Sequence, residues 1–138
     1  MVSTLPIQVI LDTNFLTIPA QFGIDVFSEA ERVLERSIEF ILLDSVIEEI
    51  RAKLESSGKT EKRIFSVALD LTERCKVIEV NQSMRGLLVD DQLLEYAISV
   101  KGVLATNDKE LKERSIERGV PVLMLRGKKY LELNGSIF

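Results

Sequence analysis

The sequence contains no histidine and no tryptophan, and its 138 residues include a single cysteine, Cys75. Without histidine there is no imidazole to act as a general base, to activate a serine or cysteine nucleophile, or to bind a soft metal ion. A lone cysteine excludes an intrachain disulfide and a cysteine-built zinc site. Any chemistry must therefore use carboxylates, hydroxyls, amides, lysines or a hard cation held by oxygen atoms.

Long apolar runs and a basic amino terminus are also lacking. No run approaches the roughly 20 residues that span a bilayer, and the opening MVSTLPIQVILDT has no basic region of the kind that begins a secretory signal. We therefore expect a cytoplasmic protein with no membrane partner, in agreement with the lone cysteine. The length, with 46% hydrophobic and 29% charged residues, predicts one folded domain over residues 1–138.

The net charge of −4 excludes a uniformly basic nucleic-acid binder, but the charge is unevenly distributed. Residues 1–100 contain 10 basic and 17 acidic side chains, whereas residues 101–138 contain 8 and 5, and segment 51–63 contains 5 and 2. Two basic patches on an acidic body suit an anionic ligand, although solvated helix faces would give the same pattern. The candidates for contact with such an anionic ligand are Arg51, Lys53, Lys59, Lys62, Arg63, Arg126, Lys128 and Lys129.

Short apolar runs alternate with segments of helical periodicity. Strands are predicted over 7–11, 39–43, 76–80, 103–105 and 122–125, with a further edge strand in 126–138. Helices are predicted over 28–36, 46–55, 60–74, 90–101 and 108–118, and three of them begin at capping-box pairs, Ser28/Glu31, Ser45/Glu48 and Asn107/Glu110. This alternation predicts an α/β domain, in which helices cover both faces of a central parallel sheet. Such sheets bind ligands beyond the carboxyl ends of their strands, where the strand order reverses.

Carboxylates are placed at that end of the predicted sheet. Asp12 follows the first strand, Asp108 follows the fourth, and Asp90 and Asp91 begin a helix, while Glu49 lies on the helix after the second strand. Carboxylates that converge in one crevice repel one another and take up protons unless a cation is present. Mg²⁺ or Mn²⁺ is the expected cofactor, because hard cations prefer oxygen ligands and keep waters that can become nucleophiles.

Each of these acids also has a structural alternative. Asp12 could cap the helix that follows it, and Asp90 is the expected N-cap of a helix over 91–101. Asp91 and Asp108 suit first-turn positions, where the helix dipole favours an acid. Glu48 is assigned to its capping box. Glu49 borders the apolar stripe of its helix, where a surface acid is a nearly equal alternative.

Four short motifs resemble those of PIN-domain nucleases, in the family's order across residues 8–125. They are Leu11-Asp12-Thr13-Asn14, Val46-x-x-Glu49-Ile50, Asp91-x-Leu93-Leu94 followed by Tyr96-Ala97, and Thr106-Asn107-Asp108. The resemblance implies a PIN-like three-layer α/β/α fold with strand order 3-2-1-4-5. It also implies hydrolysis of RNA phosphodiester bonds with Mg²⁺ or Mn²⁺, leaving a 5′-phosphate and a 3′-hydroxyl.

The resemblance further implies roles for particular residues. The catalytic metal ligands would be Asp12, Glu49, Asp91 and Asp108. Asn14, Thr106 and Asp90 would lie next to these ligands and hold a carboxylate or a water in place. The adjacent pair Asp90-Asp91 leaves open which of the two acids is the ligand.

The stretch from Ala105 to Lys129 resembles the archaeal and eukaryotic branch that includes ribosomal-RNA processing nucleases more than it resembles VapC toxins. We therefore expect an endoribonuclease in rRNA processing. A VapC-like toxin and a PIN module that binds RNA or protein without cleavage stay open. The implied partner is single-stranded or structured RNA, whose phosphates the candidate basic side chains of the two patches would contact. A homodimer or a protein partner also stays open. Tyr96 and Tyr130 are aromatic candidates for base stacking, with packing as their favoured role.

Overall fold

A computed structural model describes residues 5–137 of the chain. Its strands are β1 (Ile7–Leu11), β2 (Ile38–Leu43), β3 (Lys76–Ile78), β4 (Val103–Ala105), β5 (Val122–Arg126) and β6 (Tyr130–Asn134). Its helices are α1 (Thr13–Leu16), α2 (Ile18–Phe22), α3 (Val26–Leu34), α4 (Asp44–Ser56), α5 (Lys59–Leu71), α6 (Val89–Val100) and α7 (Lys109–Glu117), and a 3₁₀ turn covers Thr72–Arg74. None of the helices in residues 5–137 is long and apolar enough to cross a membrane.

The six strands form one mixed sheet in the order β3-β2-β1-β4-β5-β6. The first five strands are parallel, and β6 pairs antiparallel with β5 at the edge. The predicted α/β class, the strand order 3-2-1-4-5 and the extra edge strand are thus confirmed. The chain leaves β1 toward β2 and later crosses from β3 to β4. The chain thus builds the sheet outward from β1 on one side and outward from β4 on the other, and the strand order reverses between β1 and β4.

The centre of the sheet is apolar on both faces. Val9, Ile10 and Leu11 are fully buried, as is all of β4. This burial matches the uninterrupted apolar runs of the sequence, which are typical of strands covered on both sides. Gly102 is required where β4 begins, because a Cβ there would lie 2.8 Å from both the Gln8 carbonyl oxygen and the Ile10 side chain.

The ranges of two short helices, α1 and α2, were not predicted from the sequence, which indicated only that Asp12 could cap a helix after it. Phe15, Leu16 and Ile18 are fully buried in them, but the segments are too short to show a helical period. Gly23, at a φ of 67°, ends α2 in the left-handed conformation. These two helices matter for function, because they form one wall of the cavity described below.

The predicted capping boxes are wrong at all three helix starts. Helix α3 begins before Ser28, and the carboxylate of Asp25 caps it by accepting from the backbone N–H groups of Phe27 (3.1 Å) and Ser28 (3.3 Å). Helix α4 continues directly from β2, so Ser45 lies inside its first turn, and the Ser45 hydroxyl has no hydrogen-bond partner among the described residues. At α7 the cap is Asp108, not Asn107.

Asp25 offers a test of the corrected cap of α3. Asp25→Ala is expected to lower the free energy of unfolding by about 1 kcal/mol, because two backbone N–H groups at the start of α3 lose their acceptor. Ser28→Ala should cost less, since it removes only the hydroxyl that donates to Asp25 (2.7 Å). Denaturant unfolding curves measure both. A larger loss for Ser28→Ala than for Asp25→Ala would contradict the assignment.

Candidate active site

Asp12 lies at the switch point of the sheet, immediately after β1. Its backbone N–H donates to the Ala105 carbonyl at the end of β4 (3.0 Å). The Asp12 carboxylate accepts from the Thr13 backbone N–H (2.7 Å) and from the Thr106 hydroxyl (2.7 Å). Asp12 therefore caps α1, as its structural alternative predicted, and these contacts hold the side chain in one orientation.

The loop after β4 is held to the loop after β1 by side-chain hydrogen bonds. The Thr106 hydroxyl accepts from the Asp108 backbone N–H (3.1 Å), and the Asn14 side-chain oxygen accepts from the Asn107 N–H (3.1 Å). Asp108 in turn accepts from the Leu111 backbone N–H (2.9 Å) and so caps α7. Asn14 and Thr106 therefore fix the position of the two loops that carry Asp12 and Asp108.

A cavity of about 540 Å³ opens at this switch point. Four carboxylates from four parts of the chain line it, those of Asp12, Glu49, Asp90 and Asp108. The other lining residues are Thr13, Asn14, Thr17, Gln21, Phe22, Lys53, Phe65 and Asn107. The structure thus brings together three of the four predicted ligands. It adds Asp90, which was predicted to lie next to the ligands without binding the metal.

Asp91 lies on a different side of α6. Its carboxylate accepts a hydrogen bond from the guanidinium of Arg114 on α7, and among the described residues it does not line the cavity. The expected N-cap at Asp90 is also wrong, because α6 begins at Val89 with Leu88 as its cap. Consecutive helical residues point about 100° apart, and here Asp90 faces the cavity while Asp91 points toward Arg114.

Glu48 and Glu49 separate in the same way on α4. Glu49 is partly buried and lines the cavity, whereas Glu48 is exposed to solvent. The contact between α4 and α1 brings this part of α4 to the loop that carries Asp12. Glu49 faces the cavity, as predicted. Glu48 does not have the capping role that was predicted for it, because no side chain caps the start of α4.

Two of the cavity carboxyls have perturbed acidities. The pKa of Asp12 is raised to about 6, mainly by burial and also by the negative charges of Asp90 and Glu49, while the hydrogen bonds from Thr106 and Thr13 act to lower it. Burial likewise raises the pKa of Asp90, and the charges of Asp108 and Glu49 act in the same direction. These shifts show that the carboxylates are close enough to repel one another in the absence of a cation.

The donor set suits a hard cation. All four acids offer oxygen ligands, and a cation would offset the repulsion that raises the pKa of Asp12. Within residues 5–137, no three acidic side chains stand close enough together to hold a metal ion. Mg²⁺ commonly binds through one or two carboxylates and keeps several of its waters, so the residues fit such an ion without forming a complete cage.

The predicted RNA-binding residues are divided by the structure. Lys53 lines the cavity, and its ammonium lies 5.9 Å from the centre of the Phe65 ring. Lys128 lies 5.9 Å from the centre of the Phe22 ring, and Arg63 lines a neighbouring cavity. Arg126 instead pairs with Glu132 (3.6 Å). Four others are exposed to solvent and lie outside the described lining of the cavity: Arg51, Lys59, Lys62 and Lys129.

Sequence reasoning missed the aromatic residues of the site. Phe22 and Phe65 line the cavity, whereas the aromatic candidates from the sequence, Tyr96 and Tyr130, do not line it in the described part of the chain. Tyr96 is partly buried and packs against the core. A helical period in α5 places Phe65 next to the buried stripe, but no local signal identifies Phe22.

The fold and the acidic cavity define an α/β domain of the nuclease type that the motifs resemble. Residues 9–128 match the family described as PIN like domain, and the chain belongs to this family. It is 34% identical to ribonuclease VapC4 of Methanocaldococcus jannaschii over 134 residues, which cover 94% of this chain and 98% of that protein. It is also 28% identical over 128 residues to the rRNA-processing protein FCF1 of Saccharomyces cerevisiae, covering 91% of this chain and 64% of the yeast protein.

Solved structures agree with this membership. The structure of the PIN domain endonuclease Utp24 superposes with a TM-score of 0.75 and 28% identity, over 95% of this chain and 93% of that chain. The VapBC2 complex of Rickettsia felis, bound to a DNA fragment from its promoter, superposes with a TM-score of 0.56 and 19% identity, over 77% of this chain and 92% of that chain. The second likeness concerns the fold alone. The predicted family is therefore confirmed.

Proposed function

We propose that this protein is a metal-dependent endoribonuclease that hydrolyses RNA phosphodiester bonds in the cytoplasm. The observation that carries the proposal is the convergence of four carboxylates, Asp12, Glu49, Asp90 and Asp108, on one cavity at the switch point of the sheet. Ligands of open parallel sheets bind at this place. The names of its relatives, which include a ribonuclease and an rRNA-processing protein, support the choice of RNA.

In this proposal the four acids would surround Mg²⁺ or Mn²⁺ with negative charge, and one or two of them would bind it directly. Asp90 takes the place first expected for Asp91. When bound, the ion would lower the pKa of a coordinated water and offset negative charge on the phosphoryl oxygens. Thr106 and the Thr13 backbone N–H orient the Asp12 carboxylate. Lys53 supplies positive charge to the same cavity and would attract the RNA phosphates.

We favour a role in rRNA processing over a role as a toxin. The similarity to the rRNA-processing protein FCF1 over 91% of this chain supports this choice. The similarity to VapC4 over almost its full length favours the toxin as the second candidate. The two differ in a cell: a toxin should arrest growth when it is expressed alone, and a gene adjacent to its own should relieve the arrest. A processing enzyme should instead leave unprocessed rRNA precursors when it is depleted.

Glu49→Gln and Glu48→Gln provide the test of the site. Glu49→Gln should reduce metal-dependent cleavage of a long single-stranded RNA by orders of magnitude, because a carboxylate that faces the cavity is lost. Glu48→Gln changes the neighbouring exposed acid and should leave the rate within about threefold of wild type. Single-turnover rates in Mg²⁺, in Mn²⁺ and in EDTA measure both variants.

The outcome of this comparison is decisive for the proposal. Wild-type cleavage that persists in EDTA would contradict the metal dependence. A protein that binds RNA but cleaves none with either ion would be a binding module instead, and loss of activity in Glu48→Gln alone would move the site to the other face of α4.

A further inference from the structure

Two phenylalanine rings line the acidic cavity together with its carboxylates. Phe22, the last residue of α2, is 38% exposed, and Phe65 on α5 is partly buried. Both line the acidic cavity, and each also lines a neighbouring one: Phe22 a cavity of about 590 Å³ and Phe65 a cavity of about 300 Å³. Gln21 borders all three cavities, which are therefore adjacent.

Each ring has a lysine above it, and the two lysines come from the two basic patches of the sequence. Lys53 lies over Phe65, and Lys128 lies over Phe22, each at 5.9 Å from its ring centre. Lys128 occupies the turn between β5 and β6, at a φ of 57° after Gly127 at 59°. Two consecutive residues with positive φ form the tight hairpin turn that joins β5 to β6. This hairpin carries Lys128 to α2.

We propose that Phe22 and Phe65, with Lys128 and Lys53, form a subsite for unpaired RNA nucleotides beside the acidic cavity. A base would stack on the exposed ring of Phe22, and the lysines would contact the adjoining phosphates. The proposal rests on the proposed function, because it takes RNA as the substrate, and it adds how the strand is positioned. Aromatic rings interleaved with basic groups are the usual means of holding single strands.

The physical features of the subsite favour a single strand over other anions. A phosphate or a nucleic-acid duplex would use the lysines, but neither offers an unstacked base to an aromatic ring. An exposed phenylalanine gains by covering its face, and a nucleobase does so without regard to its identity. The subsite therefore predicts a preference for unpaired RNA near the cleavage point with little preference for sequence.

Phe22→Leu tests the stacking, since it keeps an apolar side chain and removes the ring. Under single-turnover conditions with Mn²⁺, it should raise the enzyme concentration for half-maximal cleavage of an unstructured decamer RNA roughly 5- to 100-fold. The maximal rate should change by less than about threefold. Phe22→Trp keeps a ring and should retain wild-type half-saturation, and melting temperatures confirm that both variants are folded.

The substrate can be changed instead of the protein. A decamer that lacks the bases on either side of its cleavage point keeps every phosphate and loses the stacking partners. Wild type should bind it about as weakly as Phe22→Leu binds the intact decamer, and Phe22→Leu should not distinguish the two substrates. Tyr130→Leu removes an aromatic ring that is 47% exposed elsewhere and should leave half-saturation unchanged.

Lys128→Gly and Lys101→Gly form a matched pair for the charge. Both lysines have positive φ, 57° and 53°, so glycine relieves the same backbone strain in each. Lys101 lies at the opposite end of the strands, in another cavity. Lys128→Gly should flatten the log–log dependence of half-saturation on salt by about 0.7, as the loss of one single-strand contact does. Lys101→Gly and Phe22→Leu should leave that slope unchanged.

The outcomes separate this inference from the function on which it rests. Wild-type protein that cleaves no RNA would overturn the proposed function and the subsite with it. Wild-type protein that cleaves normally, together with unchanged half-saturation in Phe22→Leu, would overturn the subsite alone. If the base-free decamer weakened half-saturation equally in wild type and in Phe22→Leu, the subsite would also be overturned, because another residue would then contact the bases.

Discussion

Asp90→Asn is expected to lower the rate of metal-dependent RNA cleavage by orders of magnitude, whereas Asp91→Asn should keep it within about threefold of wild type. Asp90 lines the cavity with Asp12, Glu49 and Asp108, so its loss removes one of four converging charges. Asp91 instead pairs with Arg114. The Arg114 side chain is 40% exposed, and the Asp91 side chain is 33% exposed. Its substitution should cost at most about 1 kcal/mol of stability, as exposed ion pairs do.

Single-turnover cleavage rates and thermal melting curves of the two asparagine variants check this expectation. Asp90→Asn should melt at or above the wild-type temperature in EDTA, because burial and neighbouring charges raise the pKa of Asp90 and make its charged form costly. Asp91→Asn should melt slightly lower. An inactive Asp91→Asn beside an active Asp90→Asn would return the ligand to the position that the sequence motif first indicated.

The Asp90-Asp91 pair shows what the sequence could and could not decide. The periodic apolar stripe of α6 predicts the helix to within one residue at each end. Asp91 was chosen as the ligand from the resemblance of its motif, and Asp90 was expected to be the N-cap of the helix, which is instead Leu88. Leu88 cannot cap with its side chain, so no sequence signal marks the true start. A one-residue error in phase turns a side chain by about 100°.

The failed capping boxes have a related cause. A capping box requires a residue in extended conformation at the serine, as in a chain that enters a helix from a loop. At α4 the residue in that conformation is Leu43, the last residue of β2, because the strand runs into the helix without a loop. The Ser45 and Glu48 pattern is therefore present in the sequence, but Ser45 lies two residues after the N-cap position and cannot cap.

The switch point, by contrast, could be predicted from the sequence. Asp12 and Asp108 follow apolar runs that are buried on both faces, and parallel strands bring their carboxyl ends together. Phe22 and Lys128 could not be placed, because their contact depends on the hairpin between β5 and β6 reaching helix α2. Contacts between segments so distant along the chain have no local pattern.

Asp12→Asn is expected to abolish most of the thermal stabilisation by Mg²⁺ or Mn²⁺ while leaving the metal-free protein at least as stable as wild type. The folded-state pKa of Asp12 is about 6, above the ordinary value of 3.8 for an aspartate, and burial is the main cause. An acid whose pKa is raised on folding contributes stability that is fully present below about pH 4 and is lost as the pH rises through 6. At pH 7.5 the buried charge is therefore a net cost, on the order of 2–3 kcal/mol.

Asparagine removes that charge but weakens the bonds to Thr106 and Thr13, so we expect a metal-free gain of zero to about 2 kcal/mol at pH 7.5. The gain should shrink toward pH 4, where wild-type Asp12 is protonated in the folded state. Millimolar Mg²⁺ or Mn²⁺ should raise the wild-type melting temperature, because a ligand that binds only the folded state stabilises it. Melting curves in EDTA and in each ion, from pH 4 to pH 7.5, measure both effects. An Asp12→Asn protein with the full wild-type metal shift would remove Asp12 from the proposed site.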